Sequence, residues 1–117
     1  MTNVVLIMTD QQRADSLGCT GNPIARTPNV DVLAERGAVF TNHYTPHQIC
    51  SPSRAKLFSG LLARNHGLTR NGVALSEEIP LISHELKAAG YRTHGVGKFH
   101  FQPILAGAEH KMPDSNA

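Results

Sequence analysis

The chain opens on an apolar run, Val4-Val5-Leu6-Ile7-Met8, that stops at Thr9-Asp10-Gln11-Gln12. A run with no polar face and several β-branched residues predicts a strand over residues 3–8 that is covered on both sides, as in a parallel sheet. Residues 15–28 carry Gly18, Gly21, Pro23 and Pro28 among small polar residues and read as a loop. A helix is expected over 29–36, with Asn29 as its cap and Gly37 as its end. A short strand over 38–41 and an irregular stretch over 43–50 follow. A second helix then starts at Ser51-Pro52, with proline at the first helical position, and runs to Ser59 before Gly60. Residues 65–79 are punctuated as loop. Leu81, Ile82 and Leu86 fall at helical spacing within 80–89, Gly90 is a stop, and residues 91–96 alternate as a strand. Residues 103–117 show no period.

Strands alternating with helices predict an α/β layered fold, a mainly parallel sheet flanked by helices. Two or three strands cannot cover these helices, so the sheet requires more strands, from further chain or from a partner. Apolar faces meant for such strands predict self-association of the chain in isolation.

Composition narrows the class. With 117 residues, 40% hydrophobic and 17% charged, the chain can bury one modest core. Its 11 basic and 9 acidic residues are scattered, so no basic stripe suggests a nucleic-acid partner. Cys19 and Cys50 are far apart and form no C-x-x-C pair, which argues against a disulfide framework or a structural zinc site. The opening apolar run is too short for a signal peptide or a membrane span and has no basic flank, so a cytoplasmic protein without membrane contact is expected.

Chemistry concentrates at two places. Asp10 and Gln11 directly follow the first predicted strand, and ligands in open α/β sheets gather at the carboxyl ends of strands. A carboxylate and an amide carbonyl are hard oxygen donors suited to calcium, magnesium or manganese, although Asp10 by itself also reads as a turn cap. The second place is Cys50-Ser51-Pro52-Ser53-Arg54. A helix starting at Ser51 or Pro52 puts Cys50 against free backbone N–H groups, where anions are attracted and a thiol is acidified, with Arg54 able to reach back. A cysteine-dependent phosphatase would need arginine six residues after the cysteine, where this chain has Lys56.

The C-x-P-S-R segment resembles the signature of the sulfatases, whose cysteine is converted to formylglycine by a separate generating enzyme. Ala55-Lys56-Leu57-Phe58-Ser59-Gly60 is similar to that family's continuation. The order of the other pieces fits too: a strand closing in Asp10, Thr27-Pro28-Asn29 before a helix, the cysteine motif, and then Gly97-Lys98-Phe99-His100. The similarity extends over residues 3–101. It implies a partial alkaline-phosphatase-like fold, with residues 1–117 as the N-terminal portion of a catalytic domain, and hydrolysis of a small sulfate ester.

Carried over position by position, the resemblance makes Asp10, Gln11 and Cys50 metal ligands and Cys50, Arg54, Lys98 and His100 catalytic. Gln11 stands where many members have a second aspartate, which removes one negative charge from the ion's surroundings. Calcium is the first expectation, manganese and magnesium the alternatives. Arg54 and Lys98 would hold the hydrated aldehyde and the anion, and His100 would assist removal of a hydroxyl proton. His43 and His47 flank the motif as pocket or surface residues, His66 lies in a recurrent family segment, His84 falls on a polar helix face, and Cys19 is a bystander thiol.

The family's later Asp-Asn or Asp-His pair, and its further His and Lys, have no counterpart here, since Asp114 and Asn116 do not form that pair. The chain by itself is therefore expected to be inactive. Related enzymes with the same motif cleave phosphonate monoesters or phosphodiesters, a non-catalytic remnant would keep the same first third of the fold, and a flavodoxin-like or receiver-like domain would explain Asp10 but not the cysteine motif.

Overall fold

A computed structural model describes residues 2–102. The chain divides into two compact units, Met1–Tyr44 and Thr45–Ala117. Among the described residues four α-helices form: α1 (Pro28–Arg36), α2 (Cys50–Ser59), α3 (Ala63–His66) and α4 (Ile82–Ala88), preceded by a 3-10 turn at Gly18–Thr20. No helix among the described residues is long and apolar enough to cross a membrane.

The strands expected over 3–8, 38–41 and 91–96 do not form, and no strand is present among the described residues. The reason is physical: a strand is defined by ladder hydrogen bonds to a neighbour, and an extended apolar run without one has nothing to pair with. The apolar side chains of the first run accordingly face outward, with Val5 80% and Ile7 81% exposed, and Val96 is 99% exposed. These are the faces a two-sided sheet would cover.

In the first unit, α1 begins one residue earlier than expected. Thr27, not Asn29, is its cap residue, and Pro28 takes the first turn, where its fixed φ and missing N–H cost nothing. Asp31, in that turn, accepts hydrogen bonds from the Thr27 hydroxyl at 2.9 Å and the Cys19 backbone N–H at 2.8 Å. Thr27 in turn accepts the Gly18 N–H at 2.9 Å. Gly18 has to be glycine here, because a Cβ would lie 2.7 Å from the Asp31 carboxylate. The loop expected over 15–28 is thus pinned to α1 through one half-buried carboxylate.

In the second unit, α2 starts at Cys50 itself, one residue before the expected start, with Ile49 as cap. Pro52 consequently lies at the third helical position, which still lacks an intrahelical N–H partner. The helix ends as expected, with Gly60 in the left-handed conformation. α3 interrupts the predicted loop, and α4 is shorter than the expected 80–89. The core consists of Ala55 from α2 with Leu68 and Leu75, joined at its edge by Ile79, Leu81 and Phe101. Full burial of Leu68 contributes roughly 2 kcal/mol. Beside it, Phe58 of α2 packs edge-on against Phe99 and Phe101, with ring centroids 6.0 and 5.4 Å away. This aromatic contact fastens the segment after Gly97 to the flank of the helix that carries Cys50.

Candidate active site

Four of the nominated residues meet in the second unit, on α2 and on the segment that Phe99 and Phe101 anchor to it. Cys50 is half-buried as the first residue of α2, and Ser51, Pro52 and Arg54 behind it are buried. Its Sγ lies 3.1 Å from Nδ1 of His100, fifty residues on. His100 is 7% exposed and adopts φ 61°, the left-handed region that non-glycine residues rarely occupy. The segment turns here, with Gly97 at φ 98° and His100 left-handed, and that turn brings the imidazole to Cys50. Arg54 donates from Nη1 to the Lys98 carbonyl at 2.5 Å, so Lys98 enters the arrangement through its backbone while its side chain is exposed.

One participant was missed by sequence reasoning. Asn71 Oδ1 accepts the Ser51 backbone N–H at 3.3 Å and lies 3.5 Å from Cys50 Sγ as acceptor of the thiol proton. It therefore caps one of the first free N–H groups of α2 and touches the nucleophile candidate with the same atom. The only local signal was Arg70-Asn71-Gly72, a turn signature that says nothing about reaching back twenty residues. If the thiol donates to Asn71, Nδ1 of His100 must be the donor toward sulfur; if it donates to His100, Asn71 holds only the backbone N–H.

Three other histidines, His47, His66 and His84, serve local structure. His47 Nδ1 accepts the Ile49 N–H at 3.1 Å, ordering the entry to α2. His84 Nδ1 accepts the Leu81 N–H at 3.3 Å at the start of α4. His66 is buried, and its Nδ1 accepts the Leu68 N–H at 3.1 Å. Burial holds the His66 imidazole below its ordinary pKa, outweighing the nearby carbonyls of His66 and Pro52, which favour the charged ring.

Asp10 and Gln11 belong to the first unit, where Gln11 adopts φ 52°. Gln11 and His100 are thus the two non-glycine residues with positive φ among those described, and both are nominated site residues. Strained backbone of this kind costs about 1 kcal/mol or more and accumulates where a side chain must be aimed. No group of three or more His, Cys, Asp or Glu side chains able to hold an ion occurs among the described residues. The donor chemistry of Asp10 and Gln11, one carboxylate and one amide carbonyl, nevertheless fits a hard divalent cation. Asp114 and Asn116 lie outside the described residues.

The Sulfatase family model matches residues 2–114. An arylsulfatase of Clostridium perfringens is 42% identical over 103 residues, covering 86% of this chain and 21% of that protein. Human arylsulfatase A is 40% identical over 106 residues, covering 84% of this chain and 20% of that protein. The chain therefore spans about a fifth of the length of these relatives. Among solved structures, a protein assigned as a sulfatase from Bacteroides fragilis superposes with a TM-score of 0.77 at 33% identity, over 84% of this chain and 23% of that one. The phosphonate monoester hydrolase of Agrobacterium radiobacter superposes with a TM-score of 0.66 at 39% identity, over 70% of this chain and 16% of that one. Both neighbours carry the alkaline-phosphatase-like fold.

Proposed function

Because the chain belongs to the sulfatase family, we propose that the full-length protein hydrolyses a small sulfate ester, with residue 50 as its nucleophile after conversion to formylglycine. The observation that carries this reading is the approach of His100 Nδ1 to within 3.1 Å of Cys50 Sγ, inside a C-x-P-S-R helix start. As a hydrated aldehyde, formylglycine supplies one hydroxyl that attacks sulfur and expels the alcohol, and a second that collapses to the aldehyde and expels sulfate. The thiol sulfur stands in for those hydroxyl oxygens, since it occupies the position on Cβ from which they extend.

The surrounding residues have separable roles. His100 takes the proton of the hydroxyl that collapses. Arg54, buried and fixed on the Lys98 carbonyl, holds a permanent positive charge behind the nucleophile, and the Lys98 ammonium adds a second charge for the sulfate oxygens. A divalent cation bound by Asp10 and Gln11, with calcium the first choice and manganese or magnesium next, supplies further neutralisation of the anionic ester. The expected sheet, with residues 3–8 and 91–96 as strands, belongs to the same reading: their exposed apolar side chains are the surface that neighbouring strands cover.

A phosphonate monoester or phosphodiester is a second substrate reading, favoured by the 39% identity to the Agrobacterium hydrolase. It presents the same tetrahedral anion to the same charges. The test has two stages. Peptide mass spectrometry over residues 49–54, on full-length protein co-expressed with a formylglycine-generating enzyme, should show loss of the thiol and gain of an aldehyde at position 50. Turnover of aryl sulfate against aryl phosphonate esters then decides the substrate class. An unmodified thiol under those conditions overturns the proposal.

A further inference from the structure

Helix α2 begins without a cap of its own. Ile49 stands at its cap position and has no side-chain atom that accepts a hydrogen bond, so the first backbone N–H groups of the helix need an acceptor from elsewhere. Asn71 supplies one from twenty residues away, with Oδ1 3.3 Å from the Ser51 nitrogen. That bond also settles which way the amide faces: a backbone N–H can only donate, so the oxygen of Asn71, and not its nitrogen, lies against the helix start. The same oxygen stands 3.5 Å from Cys50 Sγ, whose other neighbour is His100 Nδ1 at 3.1 Å. The side chain of residue 50 thus has two partners, an acceptor oxygen and an imidazole.

Both partners are carried on backbone that is tied together. The Val73 N–H donates to the Arg70 carbonyl at 3.4 Å, closing a turn in which Gly72 takes φ 87° and on which Asn71 is mounted. Two residues further on, the Leu75 N–H donates to the Phe101 carbonyl at 2.8 Å, next to His100. Leu75 is also in the core with Ala55 of α2, so the turn, the helix and the His100 segment share one anchor. We propose that Asn71 is a positioning residue: a single oxygen caps Ser51 and accepts the proton of the residue 50 side chain, and so holds that side chain against His100. This rests on the functional reading above only for its catalytic consequence.

The experiment compares full-length wild type with Asn71→Leu, which keeps the bulk of the side chain and removes the acceptor, and with Asn71→Asp, which keeps an acceptor oxygen in the same place. Hydrogen exchange is read at the Ser51 amide, in fragmented peptides over residues 49–57 of protein made without the generating enzyme. Asn71→Leu should speed exchange there about tenfold and leave the last turn of α2 unchanged, whereas Asn71→Asp should stay within about threefold of wild type. In converted protein, Asn71→Leu should lower kcat about tenfold with KM within about threefold. Asn71→Asp should keep kcat within about fivefold and raise KM about tenfold, because its charge repels the anionic ester. Wild-type exchange in Asn71→Leu, or equal exchange in the two variants, overturns the cap. A kcat that is unchanged in Asn71→Leu, or lowered equally in both variants, overturns the positioning. If the wild type turns over neither sulfate nor phosphonate esters, the functional reading falls, and a crystal structure of unconverted Asn71→Leu decides in place of turnover. Cys50 Sγ farther than about 4 Å from His100 Nδ1 then upholds the positioning, and Sγ still within that distance overturns it. Should the variant not fold, the unmutated protein provides the test: its Ser51 amide should exchange at least about tenfold more slowly than an unstructured amide, and an unprotected one overturns the proposal.

Discussion

Cys50 Sγ and His100 Nδ1 lie 3.1 Å apart although fifty residues separate them, and the contact exists because His100 is held left-handed and buried. His100→Ala in the full-length protein should lower kcat by about 10²–10⁴, the range for loss of a positioned general acid or base. Conversion of Cys50 should be unaffected, since it requires only the C-x-P-S-R segment. Mass spectrometry of the 49–54 peptide alongside rate measurements separates the two effects, and a kcat within threefold of wild type would remove His100 from the mechanism.

The same contact depends on packing that no motif records. Gly95 touches the Phe99 ring so closely that a Cβ would lie 2.2 Å from Cζ. Phe58 and Phe101 pack against the same ring at centroid distances of 6.0 and 6.1 Å, so the ring must shift against them to make room. Gly95→Ala should therefore destabilise the fold by about 1–3 kcal/mol and reduce activity through displacement of His100. Denaturant titration and initial rates would show this; an unchanged midpoint would mean that the ring has a free alternative position.

How much of this was legible in the sequence follows from the range of the forces involved. The four helices are governed by local signals, proline and glycine at their ends and apolar spacing within them, and three of the four were found within about two residues. Pro28 and Pro52 show the limit of such signals, because proline is tolerated anywhere in the first turn and so fixes a helix start only to within a turn. The strands are absent among the described residues for a different reason: the β-branched run Val4-Val5 reports a preference, but only a partner realises it. In the site, Cys50, Arg54, Lys98 and His100 were legible through the family motif, whereas Asn71 and Gly95 act across tertiary contacts that leave no spacing to read.

Gln11 is the point where the chain departs from a two-carboxylate pattern. Its φ of 52° is a conformation that aspartate tolerates well, so Gln11→Asp should be accepted without backbone cost. One added negative charge should raise the affinity for a divalent cation by about tenfold in the full-length protein. Calcium and manganese titrations of metal-depleted enzyme would measure this. Equal affinities for the two proteins would place the ion away from position 11.

Burial of the motif constrains when it can be read. Ser51 is 1% exposed, Pro52 is fully buried and Arg54 is 8% exposed. An enzyme that recognises Cys50 through Pro52 and Arg54 needs these side chains in its own groove, and extracting them would break the Arg54 bond to the Lys98 carbonyl and open the core at Ala55. Conversion should therefore be fast on unfolded chain and slow, by about tenfold or more, on folded protein, because access requires an opening reaction. Time courses of aldehyde formation on denatured and folded substrate would decide; equal rates would show that the folded motif is accessible.

His66 also predicts how stability responds to acid. Burial lowers its pKa in the folded state, helped by the neighbouring His47 charge, whereas the unfolded ring titrates at its ordinary value of about 6.5. Above that pH both states carry a neutral ring and His66 contributes no pH dependence. As the pH falls below about 6.5, the unfolded state takes up a proton that the folded state resists, so stability is lost progressively toward acid until the folded ring also titrates. His66→Gln lacks this proton uptake. The stability of wild type relative to His66→Gln should thus be constant from pH 8 to 7 and decline from about pH 6.5 to 5, as read from denaturant midpoints at each pH. Carboxylates elsewhere contribute equally to both curves and cancel in the difference. A difference that stays flat through pH 5 would mean that the ring titrates alike in the folded and unfolded states, so that burial does not hold it neutral.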